Sequence, residues 1–533
     1  MRQHHVLQFI GVLGLLVCAG WPQLASAQAT AITSTPAPDS PFGNCNTTDP
    51  KVFSTLDGEG KKLLLKSGLP CAEIVSGGDV AEKRLASFQR GFDFNSWLTF
   101  IALNAPGKTL DMTQAQPHTR TVWEDGEKFI PLLDVMLSGG AKPEWDPKKR
   151  FVPPACRAQF DADTNLMVVK MIEESYNQPF KTGPLIDQNN NYAIFDILMN
   201  KAMFDYMVSN KLYSRALQAS DQNSNLRIDF PSGRAAADKR GPVGHGSIMI
   251  KVSWKILAGD DDKSKFHHVE ALVATPATED QQKDPPCLRK TLGLVGFHVV
   301  HKTTNRPQWI WASFEHKDNV PEAREIKALR EQSSKRKFNF FTLSCSDSDC
   351  PINETPPRPW DPEHANELQF RRISEGPNKG KMLFNSQIAR TVHLTDETNL
   401  INNEFHGVLP DKSVWANYIL IGTQWPSDFP CATHPSALKD PPLPGTDFDK
   451  EPDMNCAPAP TFLANSTLET YSQGEIPQAS SSCMGCHGNA TSYIRRTTAV
   501  RDQNNPTVAD ETEKRRQMFM NQSDFTFMLE KAR

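Results

Sequence analysis

Cys483 and Cys486 are separated by two residues and followed at once by His487, in the run Ser481-Ser482-Cys483-Met484-Gly485-Cys486-His487. This is the attachment pattern for a c-type haem. Each thiol adds across one vinyl group of the porphyrin, and two intervening residues let one helical turn present both sulfurs to the same edge. The adjacent His487 then supplies the proximal nitrogen to the iron, and Gly485 leaves room beside the macrocycle. Two other chemistries use paired cysteines. A thioredoxin-like redox pair sits near a βαβ pattern, but residues 476–480 make a poor strand. Half of a zinc site needs a second ligand pair, and the chain has no other Cys-x-x-Cys. The expected cofactor is one covalently attached haem c.

The sixth iron position is less determined. No histidine follows His487, and the downstream methionines are Met518, Met520 and Met528. Met528 shares the apolar face of an expected last helix and reads as core. Met518 or Met520 lies where a loop could bring a thioether to the iron, giving a Met/His site of raised potential. An upstream ligand, with His316, His393 and His406 as the places to search, or an open position, stands as the alternative.

Other patterns carry less. Asp187-Gln188-Asn189-Asn190-Asn191 and Asp221-Gln222-Asn223-Ser224-Asn225 begin like calcium loops, but Tyr192 and Leu226 stand where the turn needs glycine. Leu198 and Ser232 stand where the closing glutamate belongs, so both read as polar turns. His298 and His301 lie three apart in an expected strand and point to opposite faces, so they do not share one ion. Gly241-Pro242-Val243-Gly244-His245-Gly246 precedes a strand rather than a helix, which makes it a turn and not a dinucleotide site.

The elements that must position the motif belong to a chain of 533 residues, 38% hydrophobic and 23% charged. That composition supports a sizeable core and no membrane bundle. Residues 1–27 read as an export signal, with Arg2 ahead of an apolar run and Ala25-Ser26-Ala27 as the cleavage site. The mature chain is expected in the periplasm without a stable membrane span. Loss of Arg2 leaves 57 basic against 62 acidic residues, mildly acidic and free of basic blocks, which argues against nucleic acid. Beyond the motif, the mature chain holds Cys45, Cys71, Cys156, Cys287, Cys345, Cys350, Cys431 and Cys456. An even set in an oxidising compartment suggests disulfides. Cys345–Cys350 and Cys431–Cys456 are the locally placed pairs, with buried thiols as the alternative.

In order, residues 28–44 read as a flexible leader and 45–425 as a mixed α+β body. Residues 426–460 form a proline-rich connection, and 461–533 form the haem-binding segment. Phe94, Trp97, Phe100 and Ile101 recur at helical spacing, predicting a buried helix. A helix is also expected over 194–211. Strands are expected over 247–257, 292–302 and 308–316, consistent with an antiparallel sheet. Residues 382–384, 389–393 and 415–425 could add strands or short helices. Residues 461–473 and 523–532 read as helices, the latter capped by Ser523 or Asp524. The fold class is therefore α+β: a large body with an antiparallel sheet and peripheral helices, plus a small C-terminal α-helical, cytochrome c-like haem segment.

The stretch Leu463-Ala464-Asn465-Ser466-Thr467-Leu468-Glu469-Thr470-Tyr471, followed by the haem motif, resembles a group of large bacterial c-type cytochromes with one haem. Residues 184–192, 246–255 and 311–321 are similar to the same group, so the resemblance spans most of the mature chain. The group has no settled activity, and the resemblance implies haem binding and export rather than a reaction. It carries over Cys483, Cys486 and His487. Only 46 residues follow His487, so a complete pocket must borrow walls from the body. The function expected is periplasmic electron transfer with redox partner proteins. The alternatives are a haem enzyme using peroxide or oxygen, with a substrate pocket in the body, or a haem-based sensor.

Overall fold

Along residues 248–256, Ile248, Ile250, Val252 and Trp254 alternate with Met249, Lys251, Ser253 and Lys255. The first set enters one buried cluster and Met249 another, as the period of a strand covered on both faces requires. The computed structural model describes residues 85–176, 182–224, 228–232, 244–275, 287–303, 306–356, 385–426, 458–473, 482–487, 490–494 and 523–533, with Gly58, Leu64, Leu65, Lys66, Gln178 and Leu226.

The strands are β1 (Phe129–Pro131), β2 (Met167–Lys170), β3 (Ile194–Asn200), β4 (Ile248–Ile256), β5 (His268–Ala274), β6 (Cys287–Thr303), β7 (Arg306–His316), β8 (Tyr418–Pro426) and β9 (Pro458–Ala459). They form one sheet in the order β1-β3-β4-β6-β7-β8-β9. The long β6 also pairs with β5, which lies parallel to β2; every other pairing is antiparallel. The principal helices are α1 (Leu85–Asn104), α2 (Pro154–Ala162), α3 (Lys201–Ser209), α4 (Asp396–His406) and α5 (Cys483–His487). The architecture is α+β, with an antiparallel sheet and several helices. Among the described residues no helix is long and apolar enough to cross a membrane.

One sheet face is closed by α1 and α4. Trp97 stacks on Phe405 at 5.2 Å, and its Nε1 donates to Asn402 Oδ1 at 2.9 Å. Phe100 stacks on Phe314 at 4.2 Å. Burying each such ring stabilises by roughly 1.5–3 kcal/mol. Pro106, two residues past the end of α1, cannot extend it. The opposite face carries the second cluster, in which Trp311 and Met249 meet Leu468, Met484, Met528 and Leu529. Residues from 461–533 thus complete the core of the body.

Several expectations change. The expected helix over 194–211 divides into β3 and α3: Ile194–Asn200 is buried on both faces, so its apolar run lacks a strand's alternation. Residues 461–473 are turns with one 3-10 segment, Thr470–Ser472, rather than a helix. Local backbone bonds are limited to turns such as Glu469 N to Asn465 O at 3.0 Å, while Asn465 and Ser466 bond to β7. The last helix is a 3-10 turn, Phe527–Lys531, capped by Thr526 rather than Ser523 or Asp524. Residues 389–393 make a single bridge, Glu322 with Arg390. The Asp187 stretch is a polar turn, its Oδ1 accepting from the amides of Asn189 and Asn191 at 2.9 and 2.8 Å.

Cys345–Cys350 is a disulfide, as its spacing suggests, and a second joins Cys156 of α2 to Cys287 of β6. Cys45, Cys71, Cys431 and Cys456 lie outside the described residues, with the export signal, the leader, residues 382–384 and most of the proline-rich connection.

Candidate functional site

Ser482 starts α5, its Oγ accepting from the Gly485 amide at 3.1 Å, which satisfies one of the open donors of the first turn. Gln424 of β8 satisfies another. Its Oε1 accepts from the Met484 amide at 2.7 Å and from Ser482 Oγ at 3.2 Å, while its Nε2 donates to Pro460 O at 2.7 Å. Met484 is buried against the sheet. This five-residue helix is therefore fixed by a strand side chain and a core anchor, and holds Cys483, Cys486 and His487 at one cavity.

The cavity, about 310 Å³, has the sheet as its floor. Register places side chains there in two rows. Ile197, Lys251 and His298 follow one another across β3, β4 and β6; Met249, Val300 and Trp311 make the next row across β4, β6 and β7. Leu463, Glu469 and residues 526–528 close it from above, with Glu173, Glu174 and Lys531 at one side. The size and the mixture of apolar wall with a few polar groups suit a small-molecule or cofactor pocket.

The 463–471 stretch reaches this position through buried polar bonds. Glu315 of β7 accepts from the Ser466 amide at 2.5 Å and Ser466 Oγ at 2.6 Å, and from Arg390 Nη2 at 2.9 Å. Asn465 Nδ2 donates to Ser313 Oγ and Phe314 O, both at 3.0 Å. The Thr470 amide donates to Gln178 Oε1 at 3.0 Å, and Tyr471 Oη to Pro184 O at 2.8 Å. Gly296 of β6 is required beneath it: a Cβ there would stand 2.3 Å from Thr467 Oγ1.

Burial sets the charge states. It pushes the Cys483 thiol well up, and Cys486 up to about 11, with Glu469 adding to both. A redox-active dithiol requires the reverse, a lowered thiol. Both cysteines are unpaired and half-buried. His487 is held down to about 4 by burial, hence neutral. Its Nδ1 donates to Phe525 O at 2.9 Å, leaving the Nε2 lone pair, and Trp311 and Phe527 flank the ring at 4.5 and 5.1 Å. His298 is lowered to about 3 by burial and then by Lys251, and burial raises Glu469. Two neutral thiols and a neutral imidazole, oriented through its far nitrogen on an apolar-walled cavity, fit a covalently attached metalloporphyrin. The arrangement suits a bare cation less: among the described residues no three His, Cys, Asp or Glu side chains gather to hold one.

Cys483, Cys486 and His487 are together, whereas Met518 and Met520 lie outside the described residues. Met528 is buried core, as expected, and also lines the cavity. The upstream candidates do not line it. His316 stacks on Phe266 at 4.4 Å with Nε2 on Lys265 O at 3.1 Å; His406 Nε2 donates to Tyr418 O at 2.7 Å; His393 Nδ1 pairs with Glu322 at 2.5 Å. Sequence reasoning does not single out Lys251, Glu469 or Gln424, and it considers His298 only as a partner of His301. For β4 the available signal is Lys251, Ser253 and Lys255 at every second position, and for β7 Ser313 and Glu315, where a buried face demands apolar residues; Gln424 and Glu469 carry no such signal. No protein-family model, curated protein or solved structure matches the chain.

Proposed function

We propose that the chain is an exported c-type cytochrome that holds one haem on Cys483, Cys486 and His487 and serves electron transfer in the periplasm, handing electrons to or from redox partner proteins. The observation that carries this reading is the placement of two unpaired thiols and an oriented, neutral His487 on one largely apolar cavity. When bound, the haem supplies one-electron chemistry at its iron. Attachment needs no oxidant: each S–H adds across one vinyl C=C, forming an S–C and a C–H bond with no leaving group.

The chain's own residues hold and shield. The Phe525 carbonyl keeps the His487 proton on Nδ1, and Trp311 and Phe527 limit rotation of its ring. Met249, Val300 and Leu463 supply part of the apolar wall against which the haem would lie. The disulfides Cys156–Cys287 and Cys345–Cys350 suit an oxidising compartment. Residues 461–533 would act as the haem segment of a single body, sharing the core formed by Leu468, Met484 and Leu529.

Expression with haem c maturation machinery tests the reading. The purified protein should carry the mass of one haem and keep haem stain on a denaturing gel. The Cys483→Ala/Cys486→Ala variant should lose both. A wild-type protein of apoprotein mass under those conditions refutes it.

A further inference from the structure

Two imidazoles face the cavity, and each is held by one nitrogen. His487 donates Nδ1–H to Phe525 O at 2.9 Å. His298 presents Nε2 to the Glu469 carboxylate at 3.4 Å and to Ser313 Oγ at the same distance. A carboxylate beside Nε2 places the proton there and leaves Nδ1 with the lone pair. Neither His487 Nε2 nor His298 Nδ1 has a hydrogen-bond partner among the described residues, and both rings line the same cavity. Iron- and zinc-binding imidazoles share this arrangement: the far nitrogen donates to a carboxylate or backbone carbonyl, which sets the tautomer and aims the other at the metal.

We propose that His298 supplies the second protein ligand to the haem iron, so that His487 and His298 would both hold the one haem. The assignment rests on the haem reading above. His298 stands in the interior of β6, with register to Lys251 of β4 on one side and Ser313 of β7 on the other. Both neighbouring strands are paired, so the backbone beneath the ring is rigid. Asn465 Nδ2 bonds Ser313 Oγ at 3.0 Å, and the Asn465 amide donates to Glu469 Oε2 at 3.3 Å. One loop therefore positions both groups that face His298 Nε2. The competing thioether on the floor, Met249, already accepts from Thr526 Oγ1 at 3.6 Å. Glu469 is on this view a positioning residue, coupled to Lys251 at 4.0 Å.

The test uses the mature haem-loaded protein and reads spin state by absorption and electron paramagnetic resonance. The wild type should be low-spin in the ferric state, and its ferrous form should bind carbon monoxide poorly. His298→Ala should turn high-spin, bind carbon monoxide, and return to low spin on adding imidazole. His298→Met, which keeps the bulk and guards against misfolding, should stay low-spin with a raised potential and a new weak thioether band at the red end. Glu469→Gln should lower the potential-controlling basicity of His298 and raise the midpoint without changing spin state. Haem stain retained with an unchanged spectrum in His298→Ala or His298→Met overturns the assignment alone. A high-spin wild type overturns it too. Absence of covalent haem from the wild type overturns the underlying reading instead.

Discussion

Replacing Gly296 by alanine should loosen the 463–471 stretch from the sheet, and a second substitution should partly undo the damage. The added Cβ would lie 2.3 Å from Thr467 Oγ1, 3.2 Å from Ser253 Cβ and 3.3 Å from Leu468 Cδ1. The first separation is about 1 Å short of ordinary contact, and both sides are constrained. Gly296 pairs with Ser253 and Glu315 in mid-sheet, while Thr467 Oγ1 donates to Asn465 Oδ1 at 2.9 Å. Overpacking of this kind costs about 1–3 kcal/mol. Thr467→Ala alone removes one buried hydrogen bond, about 1 kcal/mol, but also removes the clashing atom. The double variant should therefore be more stable than the sum of the single losses by about 1–2 kcal/mol, a coupling typical of contacting residues. Urea unfolding followed by tryptophan fluorescence measures the cycle, with haem incorporated per chain as a second readout. Strict additivity, or a Gly296→Ala protein as stable as wild type, would refute the close approach.

Gln424→Leu should leave the Met484 amide, Ser482 Oγ and Pro460 O without their partner, costing about 1–3 kcal/mol and lowering haem incorporation measured by stain against total protein. Peptide mapping without reductant should recover Cys156 joined to Cys287, and Cys156→Ser/Cys287→Ser should lose about 2–4 kcal/mol in urea melts, because the closed loop spans 131 residues. Burial raises the Asp196 carboxyl to about 7 from the ordinary 3.8. The folded protein keeps that proton where the unfolded chain has lost it, so stability falls as pH rises from about 4 to 7. Asp196→Asn removes this slope, up to roughly 1.4 kcal/mol per pH unit; parallel stability–pH curves for the two proteins would refute it. His316 has the opposite sign: burial lowers it to about 4, so the unfolded chain takes up the proton first and stability falls as pH drops from about 6.5 to 4. His316→Gln should flatten that limb in the same melts.

How much of this is legible in sequence depends on where each element's partners lie. β4, the body of β6 and β7 announce themselves by alternation, and α1 by the spacing of Phe94, Trp97, Phe100 and Ile101. β3 does not, since both its faces are covered and Ile194–Asn200 reads as an apolar run of either kind. Residues 463–471 misled for a different reason. Leu463, Leu468 and Tyr471 suggest a helix, yet Asn465, Ser466 and Thr467 are fully buried; Asn465 and Ser466 bond to Ser313, Phe314 and Glu315 of β7, and Thr467 bonds to Asn465, partners that no local pattern displays. The motif residues were readable because their chemistry demands fixed local spacing. In sequence His298 compares with His301, three residues on, whereas the fold sets it on one cavity with His487.

The bonds that seat residues 463–471 on the body tie together positions remote in the chain: Gln178 to Thr470 across 292 residues, Asn465 to Phe314 across 151. The penalty for closing such loops is met before their contacts give anything back, so contacts of this range form late. During folding, the local hairpin β6–β7 can form while the last third of the chain is still open. Cys483 and Cys486 would then stay open to solvent, and to a haem vinyl group, until residues 463–471 seat on the sheet and close the cavity over them.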